Sequence, residues 1–138
     1  MVLEIFTDGG SSGNPGQAAS ACVFYCDSET LYEYASAIGI ATNNFAEYTA
    51  LLHALKHVKE LLSNNPHRFS NIHIYSDSEL MVRQVAGIYK VKNDDIKAFI
   101  KEIKTIQEEI KIPITYTHIP REKNKVADAL VRSILYTK

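Results

Sequence analysis

The apolar residues keep a strand period over about the first forty residues and turn to a helical one near residue 42, and the alternation of strand-type and helix-type runs that follows leaves few folds open. Before that point, residues 2–7, 18–25 and 31–38 are short runs of β type. Residues 8–16, DGGSSGNPG, predict a Gly-rich loop after the first run, and Asp27, Ser28 and Glu29 predict a tight hairpin between the other two. Beyond it, Tyr48, Leu51, Leu52, Leu55, Val58 and Leu62 recur at helical spacing behind the capping candidates Thr42, Asn43 and Asn44. A short strand over 72–75, a helix over 78–86, a long helix from 95, a strand over 112–118 and a last helix over 124–135 complete the pattern. In that last helix Val126, Ala127, Leu130, Val131 and Ile134 are expected on one buried face.

The order βββαβααβα predicts a mixed five-stranded sheet, antiparallel at first and then parallel, with helices on both faces. Right-handed crossovers set the first strand beside the fourth. No linker or repeat divides the chain, so residues 1–138 are expected to form a single α/β domain, long enough to bury about 70% of its unfolded surface. No apolar run approaches the ~18 residues of a membrane helix, and the start MVLEIFTDGG lacks secretory features, so the expected location is the cytoplasm. Cys22 and Cys26 are too few for a disulfide framework, and no Cys/His cluster has zinc spacing, so a bound metal would need oxygen ligands. Charge is uneven: residues 1–89 carry four basic against nine acidic residues, and residues 90–138 carry eleven against seven. Such a basic C-terminal third is either a solvated helix face or a surface for phosphates.

Four acids stand at places where chemistry is done. Asp8 and Asp77 are expected at the C-terminal ends of the first and fourth strands, the edge where open α/β sheets bind ligands. Parallel neighbours lie about 4.8 Å apart, which puts both carboxylates within reach of one hard cation. Glu47 in the first long helix and Asp128 in the last would complete the cluster. Four crowded carboxylates repel one another unless neutralised, and oxygen ligands suit Mg²⁺ or Mn²⁺; two such ions about 4 Å apart activate water and steady a phosphodiester's leaving oxygen. Taken singly, each acid also has an ordinary role: turn starter, first-turn acid, helix cap, surface charge.

The four acids sit in TDGGSSGNPG (7–16), TNNFAEY (42–48), YSDS (75–78) and REKNKVAD (121–128). Together these segments resemble the type 1 ribonuclease H family over nearly the whole chain, in its order and spacing. The resemblance implies the ribonuclease H fold, Asp8, Glu47, Asp77 and Asp128 as catalytic metal ligands, and two Mg²⁺ ions when substrate is bound. It implies a substrate, the RNA/DNA hybrid, whose RNA strand is cut to leave a 5′-phosphate and a 3′-hydroxyl, with no membrane and no obligate protein partner. Gly9, Ser11, Gly13 and Asn14 would then contact the RNA backbone, and Thr42, Asn43 and Asn44 would hold phosphate or bases. Lys90, Lys92, Lys123, Asn124 and Lys125 complete the expected docking surface.

The chain also departs from its relatives. The link from 86 to 95 is too short for the basic protrusion many bacterial members carry, and residues 121–124 contain no His where many have a mobile one. His118 is expected at a strand end. Glu79 stands where relatives often have Gln. His53 and His57 share the i, i+4 spacing of zinc-protease helices, but Ala54 replaces the required Glu, so a surface pair is expected. Tyr25, Tyr32, Tyr34 and Tyr48 fit packing better than base stacking. Two other functions are compatible with the fold: a non-catalytic nucleic-acid-binding module, and a DNA-processing nuclease of the transposase or junction-resolving kind.

Overall fold

The computed structural model describes residues 1–136. In chain order the elements are β1 (Val2–Gly13), β2 (Gly16–Cys26), β3 (Glu29–Ala41), α1 (Asn43–Asn64), β4 (Asn71–Ser76), α2 (Glu79–Val85), α3 (Asp94–Ile110), β5 (Ile114–His118), a 3₁₀ turn (Arg121–Lys123) and α4 (Lys125–Leu135). The strands form one sheet in the order β3-β2-β1-β4-β5. Pairing is antiparallel across β3, β2 and β1 and parallel across β1, β4 and β5, the mixed architecture expected from the period change. No helix among the described residues is long and apolar enough to cross a membrane.

The Gly-rich segment corrects the sequence reading. It is not a loop after Thr7 but the far half of β1. Parallel pairing with β4 ends at Thr7↔Ser76, while antiparallel pairing with β2 continues from Asp8↔Ala21 to Gly13↔Gly16. The chain therefore leaves one neighbour at Asp8 and keeps the other, so its backbone groups stay paired although Gly and Ser dominate the segment. Gly13, at φ +105°, turns the strand toward Asn14 and Pro15 in a region where only glycine is unstrained. At the other end of β2, Asp27 and Ser28 take φ of 51° and 67°, the left-handed pair that matches strand twist in two-residue hairpins.

Thr42 caps α1, its Oγ1 accepting from the Phe45 amide at 3.1 Å. The buried stripe Ala46, Tyr48, Leu51, Leu55, Val58 and Leu62 then lies on the sheet. Here the core is large and aliphatic: Leu3, Ile5, Ile72 and Ile74 from the sheet meet Leu51, Leu55 and Ile103 from α1 and α3. On the opposite face α4 rests on Ala19 and Ala21 through Val131. That contact is narrow, so α4 buries Ala127 and Val131 but leaves Val126 45% and Ile134 37% exposed, contrary to the wider face expected from the sequence. The strand expected from 112 begins at Ile114, because Pro113 cannot donate to the ladder; its carbonyl accepts from the Ile72 amide at 2.9 Å.

The histidine pair is not a surface pair. His57 stacks on Tyr32 with ring centroids 3.5 Å apart, and His53 stacks on Tyr34 at 3.7 Å. Tyrosines two apart on β3 share a face, as do histidines four apart on α1, so the two spacings interlock. Cys22 and Cys26 are buried free thiols on β2.

Candidate active site

Because β1 and β4 part at Thr7↔Ser76, the next residue of each, Asp8 and Asp77, projects from the sheet edge beside the other. The first turns of α1 bring Glu47 over the same point. Gly9 sets how near it comes: a Cβ there would overlap the Ala46 carbonyl and the Glu47 amide, so strand and helix meet backbone to backbone. Carboxylate oxygens of Asp8, Glu47 and Asp77 all lie within 4.8 Å of one another. Asp128, in the first turn of α4, lines the same cavity of about 500 Å³ outside that tight trio.

Burial and mutual repulsion shape these groups. Asp8 is 5% and Glu47 7% exposed. Loss of solvent, then the charges of Asp77 and Asp128, push the Asp8 carboxyl up to about 8; the Gly9 amide and the Arg121 guanidinium pull the other way. Burial, followed by Asp8 and Asp77, likewise holds Glu47 well above the usual carboxylate range. Glu47 Oε1 and Asp77 Oδ2 are buried without a hydrogen-bond partner. Buried oxygens left unpartnered among like charges are what a hard divalent cation satisfies, so the donor set fits Mg²⁺ or Mn²⁺.

The remaining expected site residues divide. Gly9, Ser11, Asn14, Asn43 and Asn44 line the acidic cavity. The Asn43 amide donates to Asn14 Oδ1 at 3.0 Å, and Asn43 Oδ1 accepts from the Ser11 amide at 2.8 Å, which ties the hairpin tip to α1. Asn44 Oδ1 is buried and unpartnered. Gly13 serves the turn and Thr42 the helix cap, and neither lines this cavity. Lys90 and Lys92 stand on the link between α2 and α3, away from the acids, while Lys123 and Lys125 border a separate small cavity. Asn124, expected on the docking surface, is 1% exposed and donates from Nδ2 to the Thr7 carbonyl at 2.9 Å. It pins α4 to β1, next to Asp8. His118 ends β5 as expected, and Glu79 pairs with Arg83 at 3.4 Å on α2.

Sequence reasoning missed Arg121 and Arg132, which both line the acidic cavity. Arg132 had a legible signal, since it lies four residues after Asp128 and so shares its helix face. Arg121 had none, because a 3₁₀ turn of three residues has no periodicity to read.

Residues 6–134 match the model of the family described as reverse transcriptase-like. The bifunctional protein Rv2228c of Mycobacterium tuberculosis is 35% identical over 137 residues, covering 98% of this chain and 36% of that protein. Ribonuclease HI of Halobacterium salinarum is 34% identical, covering 96% of this chain and 64% of that one. This chain therefore spans between about a third and two thirds of those relatives. Among solved structures, LC11-RNase H1, isolated from compost by a metagenomic approach, superposes with a TM-score of 0.88 at 40% identity, covering 96% of this chain and 94% of that one. The same protein in complex with an RNA/DNA hybrid gives 0.87 at 39% identity. Near-complete coverage of this chain, 34–40% identity to ribonuclease H relatives and a shared fold leave one assignment: the chain belongs to the reverse transcriptase-like family, among its type 1 ribonuclease H domains.

Proposed function

We propose that this chain, as a single domain, is an endonuclease that hydrolyses the RNA strand of RNA/DNA hybrids with two Mg²⁺ or Mn²⁺ ions, leaving 5′-phosphate and 3′-hydroxyl ends. The observation that carries the reading is the trio Asp8, Glu47 and Asp77 at the parting of β1 and β4, with two buried oxygens unpartnered. Asp128 lines the same cavity. The LC11 relative solved with a hybrid supports the substrate class.

In this reading the four carboxylates hold the ions, which when bound supply the charge that activates water and steadies the leaving oxygen. Arg121 offsets part of the negative field at Asp8 and Glu47, so the site can meet a phosphate without holding every carboxyl protonated. Ser11, Asn14 and Asn43 form a braced polar wall against which a sugar–phosphate chain lies. A ribose 2′-hydroxyl, the group that separates RNA from DNA, would meet this wall at the exposed Asn14 and Asn43. The test incubates labelled RNA/DNA hybrid, double-stranded RNA and double-stranded DNA with the protein, with and without Mg²⁺ or Mn²⁺. Metal-dependent loss of the hybrid's RNA strand alone is expected; equal cutting of double-stranded DNA overturns the assignment, and hybrid binding without cleavage leaves a binding module.

A further inference from the structure

The sheet face that carries α4 is only half covered. α4 packs on β1, β2 and β3, and beside its N-terminus lies an aromatic floor that is only half-buried. There Phe6 stacks on Tyr75 with centroids 4.8 Å apart and meets Tyr25 edge-on at 5.7 Å. Phe6 and Tyr25 line a cavity of about 200 Å³ with Val126 and Ala127, and Lys123 and Lys125 stand at its mouth beside Glu122. All three charged residues are exposed, so the rim has a net charge of +1. Parallel strands are ordinarily covered on both faces, so rings left only half-buried beside β4 leave room for an occupant.

We infer that this cavity holds an unpaired nucleotide, its base against Phe6 and Tyr25 and its phosphate between Lys123 and Lys125, on a single-stranded RNA segment that runs on from the acidic site. Two observations select that occupant. The first is continuity. Phe6 and Asp8 are two residues apart on β1 and point to the same face, so the aromatic cavity lies one pleat, roughly 6.6 Å, from the acids. Asn124, bonded to the Thr7 carbonyl, and the start of α4 stand between them, and the 3₁₀ turn presents Arg121 to one side and Lys123 to the other. The second is size with charge. A space this small takes one planar ring system and falls far below the roughly 800 Å² per partner of a stable protein interface. Aromatic side chains next to lysines are the usual combination for unpaired bases and their phosphates.

The inference rests on the nucleic-acid reading of the acidic site but is tested apart from it. Isotopically labelled protein in Mg²⁺ is titrated with a single-stranded RNA hexamer and followed by NMR, with affinity measured by fluorescence anisotropy. Shifts are expected at Phe6, Tyr25, Val126 and Ala127. Val126→Glu, on an exposed helix position, should weaken binding at least tenfold while leaving the thermal melt unchanged. Lys123→Ala with Lys125→Ala should make the salt dependence of affinity shallower by about 0.7 per lost phosphate contact. The inference is overturned by no binding, by shifts confined to another face, by unchanged affinity in both variants, or by a dimer that Val126→Glu dissolves. Cleavage of a blunt hybrid by the unaltered protein, assayed separately, judges the acidic site without touching this outcome.

Discussion

The two faces of the sheet do the same job with different materials. Under α1 and α3 the contact is made by leucines and isoleucines and is sealed. Under α4 it is made by Ala19, Ala21 and Val131, and the aromatic floor beyond it is only half-buried. The thick face fixes a long helix firmly, and that helix delivers Glu47. The thin face lets a short helix lie close, and that helix delivers Asp128. The acids meet where the two arrangements join, at the edge of the strands both faces share. Bulk thus provides stability on one side, and lack of bulk provides proximity on the other.

Removing one acid from that junction should have the largest effect. Asp8→Asn is expected to lower turnover of an RNA/DNA hybrid about 10²-fold or more while far-UV circular dichroism stays the same. Full activity in that variant would take Asp8 out of the catalytic set. The comparison of faces is sharpened by truncating each. Leu51→Ala on the thick face should cost about 2–5 kcal/mol in a denaturant titration, and Val131→Ala, over alanines that can close up, about half as much. Equal costs would mean that the faces are not energetically different.

A smaller effect follows from the crowding at the junction. Between the ordinary carboxyl value of 3.8 and about 8, folded Asp8 holds a proton that the unfolded chain has released. Stability rises with pH only where the unfolded state binds more protons, so the metal-free protein should lose stability as pH climbs through that window. Melting in a chelator across that range, repeated with Mg²⁺, tests this: the loss should appear in chelator and be largely offset by the ion. A melt that rises with pH in chelator contradicts the crowding. The smallest effect is expected away from both faces, where Lys90→Ala with Lys92→Ala should raise KM for a hybrid a few-fold and leave kcat unchanged. A drop in kcat instead would place those lysines nearer the chemistry than the link between α2 and α3 does.

Element types and order were legible because each run kept one period for long enough, and the acids were legible because Asp8 stands where the apolar run of β1 gives way to glycine and serine, Asp77 directly follows a strand, and Glu47 and Asp128 lie in the first turns of their helices. What sequence alone could not show were features that depend on a partner distant in the chain. β1 continues past Asp8 because β2 remains beside it, and nothing within residues 8–13 says so. Asn124 looks like a solvent-facing loop residue until Thr7 supplies its acceptor, 117 positions away. His53 and His57 look exposed until β3 places Tyr34 and Tyr32 against them. Val126 and Val131 have equal hydrophobicity, and only the narrowness of the alanine floor decides which is buried.

The missing side chain at Gly9 has a mechanical consequence. Where two side chains separate a helix from a strand, rotamer changes let the gap breathe. Here β1 and α1 touch through main-chain atoms, so the spacing between Asp8 and Glu47 has a hard stop. Glu47 can approach no further, and it can retreat only if the whole 22-residue helix slides with its apolar stripe. The gauge of the site is therefore set by peptide geometry, and its tolerance is that of the core beneath it.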